Sequence, residues 1–345
     1  MKKILSVENL SVGLRRNREW LEAVRNISFS IREAGITGLV GESGCGKSLT
    51  ALSITGLLPE GIAANGGKVY FDGEDLLRKS EQELCRIRGK DISMIFQEPA
   101  ESLNPLLKAG FQIGETLALH GEKDKKRIRA EVLRIMGELG LPDPEKLFEA
   151  YPHQLSGGMC QRVMIALAMI NRPRLLIADE PATAVDMDTQ SQILELLKKL
   201  NRTMKTAILY ISHDLSVVRK FCDRVLVMYA GKIVELGSAE EVFSHPLHPY
   251  TRALSLAVPG YATRGKPLAG IPGKVPSIEE KFSGCPFSPR CGLALDECRG
   301  AFPEGRQATE LPADLRPPPP DPRNVPAASA DGEEHIVYCR RPHGE

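Results

Sequence analysis

Gly41-Glu42-Ser43-Gly44-Cys45-Gly46-Lys47-Ser48 decides the fold. The string fits G-x-x-x-x-G-K-[ST], and it sits where that motif requires, between a strand and a helix. Before it, Ile36-Thr37-Gly38-Leu39-Val40 reads as a short buried strand, and Leu49 onward to about Leu57 reads as the helix. Glycines at Gly41, Gly44 and Gly46 let the backbone turn its N–H groups, those of Ser43 and Cys45 included, onto phosphate. The helix start adds a favourable dipole. Lys47 brings a point charge to the β- and γ-phosphates of a nucleotide, and Ser48 a hydroxyl to Mg²⁺. Residues 41 and 43–49 are therefore the predicted nucleotide-binding set.

Outward from this unit, apolar runs alternate with helical patterns. Lys68–Phe71, Ile92–Phe96, Arg174–Ala178 and Thr206–Ile211 read as strands, and 111–150 and Asp188–Leu200 as helical stretches. Such alternation predicts an α/β fold with a mainly parallel sheet. The first 30 residues alternate apolar and polar, predicting antiparallel strands. Val225–Tyr229, Ala230-Gly231-Lys232 and Ile233–Glu235 predict a closing hairpin. Past residue 245 proline becomes frequent, and the run 316–326, with four consecutive prolines, is excluded from helix and central strand.

A second signal is Leu175-Leu176-Ile177-Ala178-Asp179-Glu180. A strand buried on both faces delivers two carboxylates at its C-terminal end, where open α/β sheets bind ligands. Asp179 is placed to hold Mg²⁺ through water, and Glu180 to orient the attacking water. A third is Leu155-Ser156-Gly157-Gly158-Met159-Cys160-Gln161, in which Ser156 is a good N-cap and two glycines bare the first amides of a helix.

Taken with the phosphate loop, this third segment resembles the signature of the ABC ATPases, over roughly residues 3–260. The resemblance implies a P-loop ABC ATPase domain over 1–260, with a RecA-like parallel-sheet core, an antiparallel β subdomain and a helical subdomain over about 98–172. It also implies that Ser156, Gly157 and Gly158 contact the γ-phosphate bound by an opposite subunit. Gln97 matches the glutamine that senses Mg²⁺ and the membrane partner, Ala184-Val185-Asp186 the D-loop, and His213 the switch histidine. The implied catalytic set is Glu180, His213 and Gln97. One departure stands out: where the family stacks adenine on an aromatic residue, the chain reads Ser11-Val12-Gly13-Leu14, leaving Trp20 as the nearby aromatic.

Four further strings resemble the oligopeptide/dipeptide importer branch: Tyr151-Pro152-His153-Gln154, Ser102-Leu103-Asn104-Pro105 after Gln97-Glu98-Pro99, His248-Pro249-Tyr250-Thr251-Arg252-Ala253-Leu254, and Cys285-Pro286-Phe287-Ser288-Pro289-Arg290-Cys291. That branch implies a second, related ATPase subunit in a heterodimer, two membrane permeases and, indirectly, an extracellular substrate-binding protein. It also implies a peripheral location on the cytoplasmic face of the membrane. Nickel and metal-opine importers share much of the pattern. A soluble ABC protein of translation or repair is the competitor from another class, and the chain has neither a doubled ATPase nor a long coiled coil.

Eight cysteines are present, and Cys285, Cys291, Cys298 and Cys339 are the ones in the last hundred residues. Their spacing, C-x5-C-x6-C-x40-C, suits zinc or an iron–sulfur cluster as well as unliganded thiols, and lacks the C-x2-C knuckle of common zinc fingers. The resemblance favours a 4Fe–4S cluster in a small Cys-rich C-terminal module over 261–345. Composition narrows the rest. A net charge of +1 argues against nucleic acid as the main partner. No run approaches the ~18–20 apolar residues of a membrane span, so another chain is expected to supply the membrane part. The apolar stretch after Met1-Lys2-Lys3 is too short for a secretory leader.

Overall fold

The computed structural model describes residues 2–97, 102–182, 186–257, 270–311 and 335–340. In chain order the strands are β1 (Lys3–Arg16), β2 (Glu19–Arg32), β3 (Ile36–Val40), β4 (Ile62–Phe71), β5 (Glu74–Asp75), β6 (Ile92–Ile95), β7 (Leu175–Asp179), β8 (Ala207–Ser212), β9 (Arg224–Tyr229), β10 (Lys232–Ser238), β11 (Arg306–Gln307) and β12 (Ile336–Val337). They form a four-stranded sheet, β2-β1-β4-β5, and an eight-stranded sheet, β11-β12-β10-β9-β3-β8-β7-β6. The first is antiparallel throughout. In the second, β9, β3, β8, β7 and β6 run parallel, and the β9–β10 hairpin turns the order back.

Every residue of β3, β7 and β8 is buried. These strands are apolar runs without alternation because both sheet faces are covered. One face joins β1, β2 and β4 in a core that holds Leu39, Ala51, Ile54, Ile177 and Leu209. The helix Lys47–Thr55 lies in that layer, touching β1, β2, β4 and β7. The opposite face packs against the helices Gly157–Met169 and Leu215–Phe221, and the helices Ala109–Leu119, Lys125–Glu138 and Pro144–Phe148 pack on Gly157–Met169 and on one another in the same core, which holds Ile113, Val132, Val163 and Tyr210. Full burial of one such Leu, Ile or Val side chain contributes about 1.5–3 kcal/mol. The helix starts are set locally: Asp124, Asp143 and Ser156 each cap the first free amides with a side-chain oxygen.

The residues after 270 depart from the expected small module standing beside the ATPase. β12 pairs with β10, and β11 pairs with β12, so the segment extends the main sheet. Phe287 is buried in the same core as β9 and the helices. The physical reason is the open edge of β10: its unpaired N–H and C=O groups are satisfied by a returning strand. The proline run 316–326 lies outside the described residues.

Candidate active site at the strand ends

The phosphate loop leaves β3 at Gly41 and enters the helix Lys47–Thr55 at Gly46. Gly41 has φ 155°, and a Cβ there would lie 2.1 Å from the Met228 carbonyl oxygen. Gly46 has φ 107°, and a Cβ would lie 2.7 Å from the Ala23 carbonyl oxygen. Both positions therefore demand glycine, because the loop is pressed against β9 and β2. The middle of the loop is open: Ser43, Gly44 and Ser48 are exposed, while Cys45, Gly46 and Lys47 are buried and Leu49 is half-buried. Gly46 caps the helix without a side-chain bond, so no side chain of its own caps the first amides. Lys47 folds back, its Nζ donating to Gly41 O at 2.9 Å and Glu42 O at 3.1 Å.

β7 lies one strand from β3, separated by β8, and its C-terminal end carries Asp179 beside the loop. Asp179 is buried, and its Oδ1 has no hydrogen-bond partner among the described residues. Burial raises its carboxyl above the ordinary range; the Ser48 hydroxyl bonded to it lowers it again, and neighbouring Glu180 adds to the rise. A buried carboxylate oxygen without a donor, next to a hydroxyl at the start of the phosphate loop helix, fits a hydrated Mg²⁺.

Glu180 follows with φ 47°, a left-handed backbone that a non-glycine residue adopts at a cost. Its N–H is held by Ile211 O at 3.0 Å, which continues the β7–β8 ladder. This turn carries the carboxylate between two other residues of the predicted catalytic set. Gln97 Nε2, just past β6, donates to Glu180 Oε2 at 3.3 Å, and His213 Nδ1, just past β8, lies 2.9 Å from Glu180 Oε1. Three strand ends thus bring Gln97, Glu180 and His213 together.

Ser156 caps its helix by accepting from Met159 N at 3.4 Å. Ser156 and Gly157 are exposed and Gly158 is half-buried against Thr189. Gln161, one turn on, donates to Pro181 O, linking this helix to the chain just past Glu180. Ala184 and Val185 lie outside the described residues; Asp186 caps the helix Met187–Met204 through Thr189 N at 2.9 Å. Trp20 is partly exposed in β2 opposite Arg15, a few residues before the Ala23 carbonyl beneath Gly46.

Cys285, Cys291, Cys298 and Cys339 all line one small cavity, of about 20 Å³, together with His248 and Phe287. Among the described residues no three His, Cys, Asp or Glu side chains converge as a site for one metal ion. Burial pushes the Cys285 thiol up to about 11 and raises that of Cys291. Nothing in the sequence pattern indicated what Arg290 and Tyr250 do. Both reach the phosphate loop, and only a contact more than two hundred residues apart in the chain reveals it.

A phosphate loop, a carboxylate pair at the end of a strand in the same sheet and an exposed serine–glycine helix start on one α/β core define a P-loop ATPase of the ATP-binding cassette class. The comparisons agree and go further. Residues 24–183 match the ABC transporter family, and residues 234–298 the C-terminal region of oligopeptide/dipeptide transporters. The chain is 46% identical over 304 residues to the dipeptide transport ATP-binding protein DppD of Bacillus subtilis, covering 88% of this chain and 91% of that protein. It is 45% identical over 303 residues to the oligopeptide transport ATP-binding protein OppD of Escherichia coli, covering 87% and 89%. Among solved structures it resembles the dimeric MJ0796, a bacterial ABC transporter cassette, at TM-score 0.61 and 29% identity, over 68% of this chain and 98% of that one. The chain belongs to the ABC transporter ATP-binding proteins, in their oligopeptide/dipeptide branch.

Proposed function

We propose that this ATP-binding subunit powers peptide import by hydrolysing MgATP at the strand-end site, with the residues in the following roles. Lys47, Ser48 and the amides of the loop hold the ATP phosphates. Ser48 and Gln97 face Mg²⁺, and Asp179 holds it through water. The ion, when bound, neutralises charge on the phosphates. Glu180 orients the attacking water, and His213 and Gln97 hold that carboxylate from either side. The observation that carries this reading is the Gln97–Glu180–His213 arrangement, 3.3 and 2.9 Å on the two sides of one carboxylate. Phosphoryl transfer depends on such positioning more than on covalent chemistry.

The transmembrane path belongs to permease partners: no helix among the described residues is long and apolar enough to cross a membrane. The coupling surface is the stretch after Gln97, residues 98–107. Residues 98–101 lie outside the described residues, and Leu106 is 81% exposed. The ATPase works on the cytoplasmic face, with cargo delivered by an extracellular binding protein. The domain limits are 1–260 for the ATPase, with the helical part over 98–172, and 261–345 for the extension. Peptide is favoured over nickel or metal-opine cargo by the relatives, which are named for dipeptide and oligopeptide transport. The match of 234–298 to a transporter region disfavours a non-transport ABC protein.

The exposed Ser156–Gly157 helix start offers amides to an anion, and a nucleotide on the open loop face would lack a second donor set. Two ATPases facing head to tail meet both needs, and a dimeric structure of MJ0796 supports pairing of such cassettes. The partner here is a related but different chain. The four cysteines hold an iron–sulfur cluster with a structural role. The support for this reading is the family resemblance and the one cavity that all four cysteines line; zinc is the alternative.

The test is made in the assembled transporter. Glu180→Gln is expected to keep ATP binding and lose about 10²–10³-fold in turnover, the range seen when one transition-state group is removed. Ser156→Arg is expected to spoil hydrolysis at the site whose phosphate loop belongs to the other chain, while nucleotide still binds at Lys47. Normal turnover in the first variant sinks the role of Glu180. Loss of binding at its own loop in the second sinks the head-to-tail pair.

A further inference from the structure

The phosphate loop is gripped from outside by the C-terminal extension. Arg290 ends the turn Ser288–Arg290, between Cys285 and Cys291 of the cysteine cavity. Its side chain is 6% exposed. All five N–H groups of its guanidinium have an acceptor. Nε donates to Pro272 O at 2.7 Å. Nη1 donates to Glu42 Oε2 at 2.8 Å and to Tyr229 Oη at 3.2 Å. Nη2 donates to Glu42 Oε1 at 3.2 Å and to Ile271 O at 3.1 Å. A two-pronged bond from arginine to carboxylate fixes both distance and orientation, as lysine does not.

Glu42 is the second residue of the phosphate loop, and it is fastened elsewhere too. Its N–H donates to Tyr250 Oη at 2.9 Å, and its carbonyl accepts from Lys47 Nζ at 3.1 Å. Tyr250 packs on Tyr229 with ring centroids 4.6 Å apart, and Phe287 packs on both at 5.2 and 5.4 Å. The route from the cysteine cavity to Lys47 is therefore short and continuous: Phe287 and Arg290, then Tyr229 and Tyr250, then Glu42. To reach a phosphate, Lys47 must leave the carbonyls of Gly41 and Glu42. A loop whose backbone is already held does not have to be ordered by the ligand, which reduces the cost of binding.

We propose that Arg290 is a positioning residue for the phosphate loop: its fork on Glu42 sets the affinity for MgATP, and bound nucleotide in turn orders the segment 285–291. The reciprocity is required by linkage. The proposal rests on the reading that this loop binds ATP.

The experiment uses the full chain with its transporter partners. Arg290→Lys keeps the charge and loses the fork; Glu42→Gln keeps the shape and loses the charge. Each is expected to weaken binding of a fluorescent ATP analogue, and to raise KM for MgATP, by about ten-fold. In Arg290→Lys, kcat at saturating MgATP is expected to change by less than about two-fold. The double variant is expected to be no weaker than the weaker single one, because both break the same contact. In the native protein ATP is expected to slow hydrogen exchange of amides 285–291, and in Arg290→Lys it is not. Unchanged affinity in both folded single variants, or losses that add in the double variant, overturns the proposal. If Arg290→Lys fails to fold, Glu42→Gln carries the same affinity and exchange measurements, since that side chain is partly exposed and tolerates the change. Lys47→Ala separates the two levels. Binding that survives Lys47→Ala overturns the loop reading itself, whereas binding lost in Lys47→Ala but native-like in Arg290→Lys overturns only the role of Arg290.

Discussion

The phosphate loop and the extension after residue 270 meet at Glu42, yet they are held by opposite kinds of physics. The loop is eight consecutive residues whose shape comes from backbone freedom at glycine and from a strand and helix on either side. The extension has strands of two residues and turns of three, too short to stand alone, and is fixed by side chains reaching across the chain. Arg290 to Glu42 spans 248 positions and His335 to Glu235 spans 100. A motif made of neighbours fails by losing chemistry while keeping the fold. A segment made of distant side-chain contacts fails by coming loose.

The largest effect that sharpens this contrast is expected at the cysteine cavity. Anaerobically purified protein should contain about four iron and four sulfide per chain if the cluster is of the 4Fe–4S type. Cys291→Ser should release them and speed hydrogen exchange across 285–311 and 335–340. Metal binding and local order are one equilibrium in sites of this kind. Zinc without sulfide would assign the alternative metal, and neither element would leave four unliganded thiols.

A smaller but still large effect is expected at Glu235 in β10. Its side chain is fully buried, yet its oxygens accept from Leu247 N and His248 N at 2.8 Å each, and His335 Nε2 lies 2.7 Å from Oε1. The carboxylate thus ties the turn before His248 to the strand that brings Cys339 to the cavity. Glu235→Ala leaves buried donors without an acceptor, a loss of about 3–5 kcal/mol. Denaturant unfolding followed at the extension should show that loss. A variant as stable as the native chain would mean that the tie contributes nothing.

The same contrast explains what was legible in the sequence. β3, the phosphate loop, β7 with its two carboxylates and the β9–β10 hairpin were readable, because each is a contiguous run whose pattern follows from burial on one or both faces. The placement of Gln97 and His213 beside Glu180 followed from strand ends in one parallel sheet, once the resemblance had singled those residues out. β4 was read from Lys68 but starts at Ile62, since Asn65-Gly66-Gly67 is poor strand sequence and is held there by pairing with β1. The cysteine spacing suited a shared metal as well as unliganded thiols, and gave no sign that their segment completes the main sheet through β12. Nor could it show Arg290 on Glu42: arginine in a Pro-Arg-Cys string carries no sign of a partner so far along the chain.

The smallest effect expected tests the seam between the two sheets, where exposed charges rather than buried contacts make the link. Asp72, in the turn after β4, accepts from Arg174 Nη1 at 2.7 Å, just before β7, and from Lys2 Nζ at 3.4 Å. Arg174 also lies over the Phe71 ring, 5.5 Å from its centre. The Arg174 bond and charge, with Lys2 adding to them, hold the Asp72 carboxyl at about 2, below its ordinary value of 3.8. A folded-state value below the unfolded one means that the stabilisation is present above about pH 4 and is lost as the pH falls toward 2. Both partners are open to solvent, so salt screens the pair and the gain is small. Asp72→Asn should shift the neutral-pH melting temperature by no more than about 2 °C. It should also flatten the part of the acid transition between pH 4 and 2, at low salt only. Superimposable acid profiles for the two proteins at low salt would show that the Asp72–Arg174 pair contributes nothing to joining the sheets.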